Sequence, residues 1–114
     1  MALTDRHCVA CRGGLPRLEA AVLAAGLAEL PAWGLAEQGT RLARRFEFRD
    51  FAQAMRFVNA MAVVAERQGH HPDFAVHWNR VDVSVWTHDA GGLTENDLVL
   101  AALVDALPEA SRQG

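Results

Sequence analysis

No lysine occurs among the 114 residues; all eleven basic side chains are arginine. That absence excludes Schiff-base chemistry on a lysine amine. The arginines are scattered and the formal net charge is −3, so the clustered basic face on which nucleic-acid binding rests is missing. No apolar run approaches the roughly 18 residues of a membrane span. The first residues show neither the basic start nor the apolar centre of a secretory signal, and the expectation is a cytoplasmic protein that binds neither membrane nor nucleic acid. Cysteine is confined to Cys8 and Cys11. In a chain that is not secreted, a Cys-x-x-Cys pair points to reduced thiols or half of a zinc site rather than to a structural disulfide. Repeats, linkers and low-complexity tracts are lacking too.

What is present suits a single domain. A chain of this length buries roughly two-thirds of its unfolded surface and needs neither metal nor disulfide to fold. Residues 1 to 15 read as an irregular N-terminal segment, and residues 16 to 114 as the domain. Pro16 suits a first helical turn, and Leu23, Leu27 and Leu30 repeat at helical spacing up to Pro31. Trp33 to Ala36 reads as a short strand, Gln38-Gly39 as a turn and Thr40 to Phe48 as a second strand, with Leu42, Phe46 and Phe48 on one side. Arg44 shares that side, which suits a place near a sheet edge where its guanidinium reaches water. Asp50 with Gln53 three residues on predicts a capping box that opens a helix whose apolar stripe is Phe51, Ala54, Met55, Val58, Ala62 and Ala65. Gly69 suits its left-handed end.

A strand over Phe74 to Trp78 follows. The tight connection Asn79-Arg80 leads to Val81–Trp86, where three valines face one way and Asp82, Ser84 and Trp86 the other. His88 keeps the parity of the second set. After Gly91-Gly92, Thr94 caps a last helix that carries Asp97 in its first turn, buries Leu100, Leu103, Val104 and Leu107, and ends before Pro108. The order α-β-β-α-β-β-α with short turns predicts an α+β, two-layer domain: a four-stranded antiparallel sheet with helices on one face.

Chemistry concentrates between Glu66 and Asp97. His70 and His71 are adjacent just after a helix, so they point in different directions. Imidazole is the side chain best suited to proton transfer near neutral pH. Glu66, four residues before His70, falls one helical turn away and either orients an imidazole, binds a polar ligand or pairs with Arg67. Asp97 in a first turn reads as a capping carboxylate. Trp78 and Trp86 read as sheet packing. Glu66, His70, His71 and His88 are residue types that zinc accepts, but the helical pattern of two histidines four apart with an intervening glutamate is absent, and the expectation is no metal. His7, Cys8 and Cys11 lack an evident fourth ligand and read as part of a mobile segment.

Glu66, three residues, His70-His71-Pro72, five residues, Trp78, nine residues, His88, eight residues and Asp97 together resemble the signature of the pterin-4a-carbinolamine dehydratases. The stretches Arg45–Phe51, Trp78–Val81 and Thr87–Thr94 are similar as well, and the likeness runs from about Pro16 to Leu107. The resemblance implies four antiparallel strands backed by helices. It implies dehydration of 4a-hydroxytetrahydropterin to quinonoid dihydropterin, the step that regenerates the cofactor of aromatic amino-acid hydroxylases. No metal or organic cofactor is implied; the pterin is the substrate. By the same resemblance His70 and His88 are the acid candidates, His71 binds the ring and shares in proton transfer, and Glu66 and Asp97 orient imidazoles or hold the pterin. Phe74 would give an apolar wall. Gly69 stands where some members carry a carboxylate. The resemblance also leaves open a homodimer or homotetramer, a dimerisation or regulatory role of the kind some members play, and a role in molybdopterin metabolism.

Overall fold

The fold is given by a computed structural model that describes residues 3–8 and 16–112. Four strands form one antiparallel sheet in the order β1-β2-β4-β3. They are β1 (Gly34–Ala36), β2 (Arg41–Glu47), β3 (Asp73–His77) and β4 (Arg80–Val85). The helices are α1 (Ala20–Ala28), α2 (Phe51–Gln68) and α3 (Glu95–Asp105). The α-β-β-α-β-β-α order and the antiparallel sheet are those expected.

The sheet has a packed face and an open one because its side-chain period of two matches the apolar pattern. Leu42 opposes Val85, Phe46 opposes Val81 and Val83 opposes Phe74. Leu42, Phe46 and all three valines of β4 are buried. On the other face Ala43 opposes Ser84, and Arg45 opposes Asp82. The β3–β4 connection is two residues, Trp78 and Asn79, with His77 opposite Arg80. Trp78 takes a positive φ of 53° and is 64% exposed. It therefore belongs to the turn and packs on no sheet.

Arg44 sits differently from the expectation. It lies on β2 one residue past Ala43, the last position that β1 pairs, so the edge is near as expected, but the guanidinium does not turn to water. Its guanidinium instead meets Asp105 of α3 at 2.6 Å and lies 4.1 Å from the centre of the Phe46 ring. Asp105 also accepts the Trp33 indole N–H at 2.9 Å. A partly buried cation is tolerated because it is paired and hydrogen-bonded.

Helix α2 starts as the sequence predicts. The Asp50 side chain accepts from Gln53 N at 2.9 Å, although Gln53 reaches back to Arg49 N, one residue before the cap. The buried stripe is rotated from the expected one: Ala54, Phe57, Val58, Met61 and Ala65 are buried, whereas Phe51 and Ala62 face solvent. Phe57 decides the rotation. Its ring lies 4.5 Å from Phe46 and 5.2 Å from Phe48, centre to centre, and burying one such side chain contributes roughly 1.5–3 kcal/mol.

Two other boundaries shift. Helix α1 begins at Ala20 rather than Pro16, because the preceding residues are extended and Leu18 N bonds to Leu93 O. Helix α3 ends at Asp105, and buried residues extend around much of its circumference from Asn96 to Val104. The described part of the N-terminal segment is not loose. Leu3 is buried, Arg6 pairs with Glu95, and Cys8 N donates to Gln68 Oε1 at 2.7 Å. Cys11 lies outside the described residues.

Candidate active site

The end of α2 sets the site. Gly69 adopts φ 64°, the left-handed conformation, and His70 N bonds back to Ala65 O at 3.3 Å. This reversal ends the helix and sends two consecutive imidazoles to different places. His70 turns inward and is 7% exposed. Its Nε2 lies 2.7 Å from Asp97 Oδ1. His71 stays at the surface, with Nε2 2.5 Å from Glu66 Oε2. The one-turn spacing of Glu66 to His70 therefore does not make a pair. The helix is over by His70, and Glu66 reaches His71.

Asp97 is fully buried. Its second oxygen, Oδ2, accepts from the Thr87 hydroxyl at 2.8 Å and from Thr94 N at 2.9 Å. The Thr87 and Thr94 hydroxyl oxygens are themselves 2.8 Å apart. Asp97 thus does two jobs that sequence reasoning held apart, capping α3 and holding an imidazole. A carboxylate oxygen accepts, so in this pair the His70 Nε2–H is the donor.

His88 arrives on a one-turn 3₁₀ segment, His88–Ala90, just after β4. Thr87 and Gly92 bridge the base of this loop. Arg17 Nε donates to Ala90 O at 2.7 Å. Its stem crosses Gly92 so closely that a Cβ there would lie 3.3 Å from Arg17 Cδ. The His88 ring packs on the Trp86 indole, 4.0 Å between centres. Among the described residues neither His88 ring nitrogen has a hydrogen-bond partner.

These side chains meet in one cleft of about 270 Å³, lined by His70, His71, Pro72, Trp86, Thr87 and His88 among others. Glu66 and Phe74 lie elsewhere. With Met61, Ala65, His71 and Pro72 they line an adjoining, mostly apolar hollow of about 280 Å³. His71 and Pro72 belong to both. A larger depression, about 700 Å³, lies mainly on the open sheet face and includes none of the three clustered histidines. Among the described residues no group of three or more His, Cys, Asp and Glu side chains is arranged to hold a metal.

Two contributors escaped sequence reasoning. Trp86 shares the strand parity of His88, a signal that was present but read as packing. Thr87 sits on the valine side of the strand pattern, where nothing marks it. Asp97 is also placed differently from a substrate contact: a fully buried carboxylate held by three protein groups, His70, the Thr87 hydroxyl and Thr94 N, has no surface left for a ligand.

The chain is thus a two-layer α+β domain that brings three imidazoles to one cleft, two of them backed by carboxylates. The sequence pattern described as Pterin 4 alpha carbinolamine dehydratase matches residues 16–107. A Stenotrophomonas maltophilia protein provisionally named pterin-4-alpha-carbinolamine dehydratase is 46% identical over 107 residues, 94% of this chain and 92% of its own. The crystal structure of a transcriptional coactivator/pterin dehydratase from Brucella melitensis aligns with TM-score 0.77 at 34% identity, covering 82% of this chain and 98% of that one. A pterin dehydratase-like protein identified as a RuBisCO assembly factor in the alpha-carboxysome aligns with TM-score 0.58 at 29% identity, covering 66% of this chain and 87% of that one. The chain belongs to the pterin 4 alpha carbinolamine dehydratase family.

Proposed function

We propose that this chain dehydrates 4a-hydroxytetrahydropterin to quinonoid dihydropterin, with His70, His71 and His88 as its proton-transfer groups. The observation that supports this reading is the convergence of the three imidazoles on one cleft. The 4a-hydroxyl leaves poorly as hydroxide and readily as water, so one imidazolium gives a proton to that oxygen as the C4a–O bond breaks. The electron pair on N5 forms the C4a=N5 bond, and the N5 proton passes to a neutral imidazole. One proton leaves the protein and one arrives, so the pair is reset by exchange with solvent. His70 and His88 are the acid candidates; His71 binds the ring and shares in the transfer.

Asp97 acts behind His70, fixing its tautomer. Glu66 does the same for His71 at the surface, and in this reading it also meets pterin N–H groups. Phe74, 47% exposed in the adjoining hollow, offers an apolar wall to whatever extends beyond His71. In this reading the pterin is the substrate, the product step serves aromatic amino-acid hydroxylases, and the protein works in the cytoplasm as a homodimer or homotetramer. The outer strand β3 supplies an unpaired edge for self-association.

The test is the rate at which 4a-carbinolamine disappears in stopped flow. The parent protein accelerates it, and His70→Ala combined with His88→Ala removes about 10²–10⁴-fold, the usual contribution of such groups. No acceleration by folded parent protein sinks the proposal. It would favour a second reading, a protein-binding module, which the exposed Phe51, Val63 and Trp78 support. A pterin-related role in molybdopterin metabolism would use the same cleft and is separated by which pterin the protein turns over.

A further inference from the structure

We propose that Trp86 is a positioning residue for His88, and that Arg41 and Asp73 hold the indole in place for that task. The three histidines of the cleft are secured unequally. His70 leans on Asp97 and His71 on Glu66, each through a ring nitrogen. His88 is exposed, stands on a single 3₁₀ turn and, among the described residues, has no hydrogen bond to either ring nitrogen. What it has is the indole, with ring centres 4.0 Å apart and planes tilted by 39°.

The indole is itself fixed from two further directions. Its Nε1–H donates to Asp73 Oδ2 at 3.1 Å, and the Arg41 guanidinium carbon lies 4.4 Å from the ring centre, within cation–π reach. Asp73 opens β3 directly after Pro72, and Arg41 opens β2. One rigid side chain thereby ties the starts of two strands to the end of β4 and to the imidazole beyond it. Stacking suits this duty. It fixes the plane of His88 while leaving both nitrogens open to exchange protons, which a hydrogen-bonded support would not.

The kinetic consequence rests on the dehydratase reading; the structural one does not, and two measurements keep them apart. The first is steady-state kinetics. Trp86→Ala lowers kcat by about 10- to 100-fold, the scale of a misplaced catalytic group, with KM little changed, and Trp86→Phe recovers most of the loss because an aromatic face remains. The second is the NMR position of the His88 ring protons, which the indole ring current displaces. The displacement vanishes in Trp86→Ala and persists in Trp86→Phe. Asp73→Ala, a milder surface change that leaves the aromatic core alone, gives a partial loss in both measurements, and Asp73→Asn, which keeps an acceptor, behaves as the parent.

Undisplaced His88 signals in the parent, or parental kcat in a folded Trp86→Ala protein, would overturn the proposal. So would a rise in KM alone, which would make Trp86 a wall of the cleft rather than a support. Should the parent protein dehydrate no carbinolamine, the NMR measurement decides by itself.

Discussion

At the scale of single residues, the least conspicuous member of the site is the most constrained. Thr87 is buried, and its hydroxyl donates to Asp97 Oδ2 while lying against the Thr94 hydroxyl. Thr87→Val keeps the shape and removes the donor. Asp97, fully buried, then loses one of its fixed partners. Leaving such an acceptor short costs about 1–3 kcal/mol, read as a lower midpoint in urea at unchanged slope. The same variant frees Asp97 to tilt, so His70 loses its fixed direction and kcat falls, whereas Thr87→Ser retains the hydroxyl and most of both quantities. A Thr87→Val protein with parental stability would mean that Thr94 N and His70 suffice to hold Asp97. The sequence could not mark Thr87, because its role depends on a carboxylate ten residues away that only the α3 docking brings near.

At the scale of elements, α2 shows what was readable and what was not. Its Asp50 cap, its length and its left-handed end follow from local chemistry at Asp50 and Gly69, and those features stand in the structure. Its buried face was misjudged because stripe-reading treats every apolar residue alike, while the core selects Phe57 for its contact with Phe46 and Phe48. The Pro16–Glu19 stretch failed for a related reason: a favourable proline does not make a helix where Leu18 N is already bonded to Leu93 O. Gly69 gives a prediction about the helix end. A Cβ there meets nothing within 4 Å, so the only penalty for a side chain is the left-handed backbone at φ 64°. Gly69→Ala should lose about 1–2 kcal/mol of stability, and Gly69→Asn less, since asparagine enters this conformation more readily. Chemical denaturation orders the three proteins; an alanine variant as stable as the parent would show that the turn relaxes without strain.

At the scale of the whole molecule, the two sheet faces divide the work. The packed face carries the core, and the cleft forms between the turn that follows α2 and the segment that follows β4. The parity of β4 and the spacing from Glu66 to Asp97 made that division legible in advance, whereas the pairing of Glu66 with His71, and the enclosure of Asp97, depended on three-dimensional closure. The open face carries charge instead. Asp82 meets Arg45 at 2.8 Å, with Arg80 and His77 nearby. Its hydrogen bond to Arg45, helped by the charges of Arg45, Arg80 and His77, holds the Asp82 carboxyl below its ordinary value of 3.8, and the same bond raises Arg45. A carboxyl depressed in the folded state contributes stability that is fully present above its ordinary value and is lost as the pH falls through the lower folded one. The pair is exposed, so its contribution is small and weakened by salt. Asp82→Asn should therefore melt slightly below the parent at neutral pH. The difference should hold down to mildly acidic conditions, close as the pH drops below 3.8, and shrink at neutral pH in about 1 M salt, where screening reaches within roughly 3 Å. A melting difference that widens on acidification would assign the stabilisation of this face to some group other than Asp82.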